Sequence, residues 1–134
     1  MRANELILKD WVKCGSDFEQ VDYLENGNIN GHPENWYEPI PLTAEILEKN
    51  GLRKITLDGE KGSKQDYYID TNFVGYYNMN DLARVHASSI VYDIKQKWLF
   101  VDDNQTCRID LMCPYVHTLQ HALRLCGIDK EIVL

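Results

Sequence analysis

The stretch Cys113-Pro114-Tyr115-Val116-His117-Thr118-Leu119-Gln120-His121-Ala122-Leu123-Arg124-Leu125-Cys126-Gly127-Ile128 decides how this chain is read. Proline fits the first helical position, where its missing N–H has no intrahelical partner to lose, and glycine fits the left-handed position just past a helix end. A helix over Pro114–Cys126 is therefore predicted. With Val116 at zero and about 100° per residue, Tyr115, Leu119, Ala122, Leu123 and Cys126 fall in one arc of about 120°. That arc is assigned to the core. Cys113, His117, Gln120, His121 and Arg124 share a polar arc assigned to solvent, and Leu125 fits neither. Ile128 is placed to close the helix end against Leu123.

Upstream, Ser88–Asp93, Lys97–Asp102 and Thr106–Met112 are short apolar-rich runs separated by Ile94-Lys95-Gln96 and Asp103-Asn104-Gln105, which predicts an antiparallel sheet. Arg53–Leu57 and Asp66–Asp70 flank Asp58-Gly59 and a polar loop, and read as another strand pair. Residues 71–87 show no period, although Asp81–Val85 would make one helical turn. A short helix is expected over Ala44–Lys49. Thr43 offers a capping hydroxyl, Gly51 a left-handed stop, and Leu47 can meet both Leu42 and Leu52, which makes it a core residue. Before it, Leu6–Lys13, Phe18–Leu24 and Asn28–Asn30 read as strands around the turns Gly15-Ser16-Asp17 and Asn26-Gly27. The expected fold class is α+β, one domain over 1–134: an N-terminal strand meander and proline-rich loop (1–42), a short helix, and an antiparallel sheet packed by the C-terminal helix.

The chain has 134 residues, 44% hydrophobic and 26% charged, with 14 Lys+Arg against 21 Asp+Glu, for a net charge of −7. Basic and acidic residues number 8 and 13 in residues 1–67, and 6 and 8 in residues 68–134, so neither half is a basic module. Nonspecific nucleic-acid binding draws on clustered Lys and Arg, and the nearest approach, Lys61-Gly62-Ser63-Lys64, reads as a solvated turn. No nucleic-acid partner is expected. No apolar run approaches the roughly 18 residues needed to span a membrane, so none is expected to be crossed. Glu5 and Asp10 flank the short run Leu6-Ile7-Leu8, which does not resemble a secretory leader. The cysteines at 14, 107, 113 and 126 are accordingly expected to be reduced thiols of a cytoplasmic protein.

Four zinc-ligand types, Cys107, Cys113, His117 and His121, lie close in sequence. An extended strand over 107–112 would separate Cys107 from Cys113 by about 20 Å, too far for one tetrahedral site. A row of Cys113, His117 and His121 at i, i+4 and i+8 survives as the metal-binding or hydrolase alternative. Cys113 near a helix start, one turn from His117, also has the elements of a nucleophile and base, but Pro114 removes one amide that would lower its pKa. Asp93, Asp102, Asp103 and Asp110 read as hairpin-end chemistry. No P-loop, dinucleotide fingerprint, His-Glu-x-x-His or Gly-x-Ser-x-Gly occurs, so no catalytic residue and no cofactor is assigned, and the reading leans away from an enzyme. The loop from Gly31 to Pro39 carries adjacent aromatics, Trp36 and Tyr37, suited either to a partner or to a lid on the core.

Three stretches, Met1-Arg2-Ala3-Asn4-Glu5-Leu6, Glu38-Pro39-Ile40-Pro41-Leu42-Thr43-Ala44-Glu45-Ile46-Leu47 with Gly51-Leu52, and Tyr115-Val116-His117-Thr118-Leu119-Gln120, together resemble small proteins of Bacteroidales genomes, often encoded in phages, prophages or other mobile elements. The resemblance implies a context and the prominence of His117 and Gln120, but no activity or ligand. The expected function is a noncatalytic cytosolic accessory protein that meets a protein partner through Trp36 and Tyr37 or through His117, Gln120 and His121. A nucleic-acid-related role, including acidic mimicry of DNA, is a further alternative.

Overall fold

The computed structural model describes residues 1–58, 62–70, 89–102, 108–128 and 130–134. The last helix, α2 (Val116–Leu125), starts two residues later than expected. Tyr115, its N-cap, supplies no side-chain cap. The chain solves this with tertiary backbone pairing: Val116 N–H donates to Ile40 C=O at 2.9 Å, and Leu42 N–H donates to Pro114 C=O at 3.0 Å. A first-turn amide that would otherwise lack an acceptor is thereby satisfied. At the other end, Gly127 (φ 67) lets Ile128 N–H reach Leu123 C=O at 2.9 Å and Gly127 N–H reach Arg124 C=O at 3.0 Å, the expected glycine stop. Helix α1 (Ala44–Lys49) matches its expected span, with Thr43 Oγ1 accepting from Ile46 N–H.

Five antiparallel strands form the main sheet: β7 (Leu52–Asp58), β8 (Lys64–Asp70), β9 (Ser89–Asp93), β10 (Trp98–Asp102) and β11 (Arg108–Met112), side by side in chain order. The register aligns Leu99 with Tyr92 and with Leu111, and Val101 with Ile90 and with Ile109. Because side chains alternate, these residues share one face with Tyr68 and pack with Leu47, Val116, Leu119 and Leu123 of the two helices. The opposite face gathers a separate cluster of Ile55, Leu57, Tyr67, Ile69 and Val91, with Phe100 beside it. The chain is thus an α+β fold whose C-terminal helix covers the sheet. The expected turn at Asp81–Val85 and the segment 71–87 lie outside the described residues.

The N-terminal region builds two small sheets from β1 (Trp11–Cys14), β2 (Asp17–Gln20), β3 (Leu24–Glu25), β4 (Asn28–Ile29), β5 (His32–Pro33) and β6 (Tyr37–Glu38), ordered β2-β1-β6 and β3-β4-β5. Here the expected strands are shorter. Leu6–Lys13 is not one strand: a 3₁₀ turn occupies Ala3–Glu5, and Lys9 takes φ 75 before β1 begins. The expected run from Phe18 to Leu24 is interrupted because Asn30 Oδ1 accepts from the amides of Asp22 and Tyr23, at 2.8 and 3.1 Å. A side chain that supplies what a neighbouring strand would supply ends the ladder. This region has its own core of Ala3, Leu6, Val12, Val21, Ile29 and Tyr37. Among the described residues, no helix is long and apolar enough to cross a membrane.

Cysteine chemistry also departs from expectation. Cys14 and Cys113 are free, but Cys126 is disulfide-bonded, so the chain does not carry four reduced thiols. Thiol titration of the unfolded protein without reductant should give fewer than four thiols per chain, rising to four on reduction. Four thiols at the outset would remove the bond at Cys126.

Candidate functional site

The polar arc of α2 converges on the turn that precedes β1. His117, Gln120, His121 and Arg124 are spaced so that they share one helix face, one residue above the next. Opposite them sits Asp10, 0% exposed. Its carboxylate accepts three hydrogen bonds: from Ile7 N–H to Oδ2 at 2.9 Å, from His121 Nε2 to Oδ2 at 2.5 Å, and from an Arg124 guanidinium N–H to Oδ1 at 2.7 Å. A buried carboxylate is tolerated only when its lone pairs are engaged in this way. Gln120 completes the seam, accepting from Trp11 N–H at 2.9 Å and donating to Lys9 C=O at 3.1 Å. Trp11 Nε1–H in turn donates to Ile132 C=O at 2.7 Å, so the C-terminal tail is held in the same seam.

Electrostatics sort the two histidines into different roles. His121, half-buried, is tied to Asp10. His117 is buried and lies parallel to the Tyr115 ring, 5.7 Å between centroids, and edge-on to His121 at 5.6 Å. Its Nδ1 has no hydrogen-bond partner. Burial, with a smaller contribution from His121, pushes its pKa below the ordinary 6.5, against weaker upward pulls from Asp10 and Glu5. At neutral pH it is an uncharged imidazole.

Cys113 is wholly buried, with its thiol turned toward Tyr115 C=O at 3.7 Å. Burial pushes its pKa up to about 12, which leaves almost no thiolate at neutral pH and removes the basis for a nucleophile. Among the described residues, no three His, Cys, Asp or Glu side chains are arranged to hold a metal ion, so Cys113, His117 and His121 are not brought together as ligands. The assignment of the polar arc to solvent also fails for Cys113, His117 and Gln120, which are buried; His121 is half-buried and Arg124 exposed. The reason is that the N-terminal segment covers His117 and Gln120, whereas Cys113 joins the core between the helices and the sheet.

Trp36 and Tyr37 separate. Tyr37 is 1% exposed and belongs to the N-terminal core. Trp36 is 54% exposed, stacked on His32 with centroids 4.9 Å apart and planes at 14°. The turn that carries it, Glu34–Trp36, is fixed from beneath, because Glu34 Oε2 accepts from Ala3 N–H at 2.8 Å. A cleft of about 660 Å³ opens beside that contact, between Arg2, Asn4 and Leu6 on one side and Leu24 and Glu25 on the other. Sequence reasoning missed Asp10 as a site residue. The available signal was a lone carboxylate inside the apolar run Leu6–Val12, where an unpaired acid would be costly.

No family model matches the chain, and no curated protein and no solved structure matches it. The functional reading therefore rests on the geometry of these residues.

The seam should be energetically coupled. Replacing Asp10 by Ala removes the acceptor shared by Ile7, His121 and Arg124 and is expected to cost on the order of 3 kcal/mol in urea unfolding. Gln120→Ala, which strands the Trp11 amide and the Lys9 carbonyl, should cost about 1–3 kcal/mol. The double variant should lose less than the sum, because both break the same contact. Additive losses would show two independent features.

Proposed function

We propose that this chain is a noncatalytic protein-interaction protein that engages its partner through Trp36. The observation that carries this reading is the stacked His32–Trp36 pair, displayed at 54% exposure for Trp36 on a turn whose neighbours Tyr37 and Glu34 are anchored. A single exposed aromatic is ordinary on a protein surface. This one is held flat by its partner ring and by a tethered turn, so little freedom remains to be lost on binding. Tryptophan also dominates interface energetics when it enters a pocket.

The second surface expected from sequence carries less of this reading, since Gln120 is engaged with Lys9 and Trp11 and His117 is buried. The metal or hydrolase alternative is weakened by the buried, protonated Cys113. Mimicry of DNA draws no support from Asp10, which is buried and paired within the chain. The setting in a mobile element of Bacteroidales is part of the proposal and rests on the three sequence stretches alone. A cytoplasmic location is also part of it, with the disulfide at Cys126 weighing against a fully reducing compartment.

The test compares wild type with Trp36→Ala as baits in native host lysate, with and without nuclease. A protein retained by wild type after nuclease treatment and lost with the variant is the expected result. The variant's own stability should shift by no more than about 0.5 kcal/mol, because the residue is exposed. Equal retention by both baits, or retention that vanishes with nuclease, would overturn the assignment.

A further inference from the structure

The N-terminal strands and the sheet-plus-helix body have separate apolar cores; Trp11 of β1 packs against the body's core, and beside it residues 9–11 meet the face of α2 through hydrogen bonds and an ion pair. Apolar seams respond little to pH. A seam that buries an imidazole with an unpartnered nitrogen responds, because protonation places a charge inside it.

We propose that this seam is a pH-gated latch, in which protonation of His117 loosens residues 7–21 from α2 while the five-stranded sheet stays intact. The groups that face His117 are His121 from its own helix, Tyr115 from the turn before it, Asp10 from the turn before β1, and Glu5 from the N-terminal 3₁₀ turn. Asp10 is the one buried carboxylate among them, and it is already shared by Arg124 and His121. Glu5 is exposed. A proton arriving on His117 therefore adds a cation beside His121 without a buried counter-charge of its own. Its unpartnered Nδ1 marks the same imbalance in the neutral state, since no group in the seam is placed to accept a proton from it. The imidazolium gains hydration by opening the seam, and the first contacts to part are those along the helix face that His117 shares with Gln120, His121 and Arg124.

The sign follows from proton linkage. His117 binds its proton less readily in the closed seam than in the open one, so the closed form has its full stability above the ordinary pKa of 6.5 and loses it as pH falls through and below that value. Opening should be local, because the N-terminal core of Ala3, Leu6, Val12, Val21, Ile29 and Tyr37 does not depend on α2 for its apolar contacts.

Hydrogen exchange of the full chain, followed by mass spectrometry at about pH 7.5 and about pH 5.5 and corrected for intrinsic rates, tests the latch. Exchange within residues 7–21 should rise at the lower pH, approaching about tenfold, the ratio expected when an imidazole of ordinary pKa is titrated in the open form only. Strands β7 to β10 should not change. In His117→Leu, which cannot be protonated, the rise should disappear; His117→Asn provides a polar replacement if the leucine variant does not fold. A wild-type segment indifferent to pH, an acid response that persists in either variant, or equal loosening of the main sheet would each overturn the proposal.

Discussion

The buried carboxylate of Asp10 is the constraint around which the chain is arranged. Its three donors come from two ends of the sequence: Ile7 from the same turn, His121 and Arg124 from the last helix. Moving such a group out of water is unfavourable by several kcal/mol unless every lone pair finds a donor. That condition fixes the direction of α2 against the N-terminal strands more narrowly than apolar packing would, since apolar contact tolerates sliding and a three-donor carboxylate does not. Gln120, bridging Lys9 and Trp11 backbone groups, sets the register of the same contact.

This arrangement explains why α2 is covered on nearly all sides. Its apolar arc meets the sheet through Leu119 and Leu123, and its polar arc meets the N-terminal segment through Gln120 and His121. Leu125, the residue outside both arcs, is 75% exposed. A helix whose polar face is interior need not be hydrophobic all round, provided that face carries matched donors and acceptors. His117 is the exception, with an unmatched nitrogen, and it is also the group whose protonation the seam resists.

Much of the body was legible in the sequence for local reasons. Gly127 and Gly51 mark helix ends through backbone conformation, Thr43 caps through its own hydroxyl, and the alternation along β9 and β10 follows from the pleat. The N-terminal strands were less legible because their ends are set by side chains acting across the sequence. Asn30 terminates the pairing of residues 22 and 23, and Asp10 closes a turn on Ile7 within an apolar run that reads as a strand. The wheel of α2 placed Leu119, Ala122, Leu123 and Cys126 in the core correctly, but it also put Tyr115 there, which is exposed, and could not say that much of the polar arc would be covered, since periodicity reports chemical difference between faces and not the presence of a second covering segment.

The same distinction separates Trp36 from Tyr37. Adjacent aromatics on a proline-bounded loop present one signal in sequence, yet the chain turns at Glu34–Trp36 and enters β6 at Tyr37. That change of backbone direction drives Tyr37 into the core and leaves Trp36 outside, where His32 is its stacking partner. Had the loop served only as a lid, the larger ring would be expected inward, because it has the greater apolar area to remove from water. The inversion places the smaller aromatic in the structural role and leaves the larger one displayed, and this is why the recognition reading attaches to Trp36 alone.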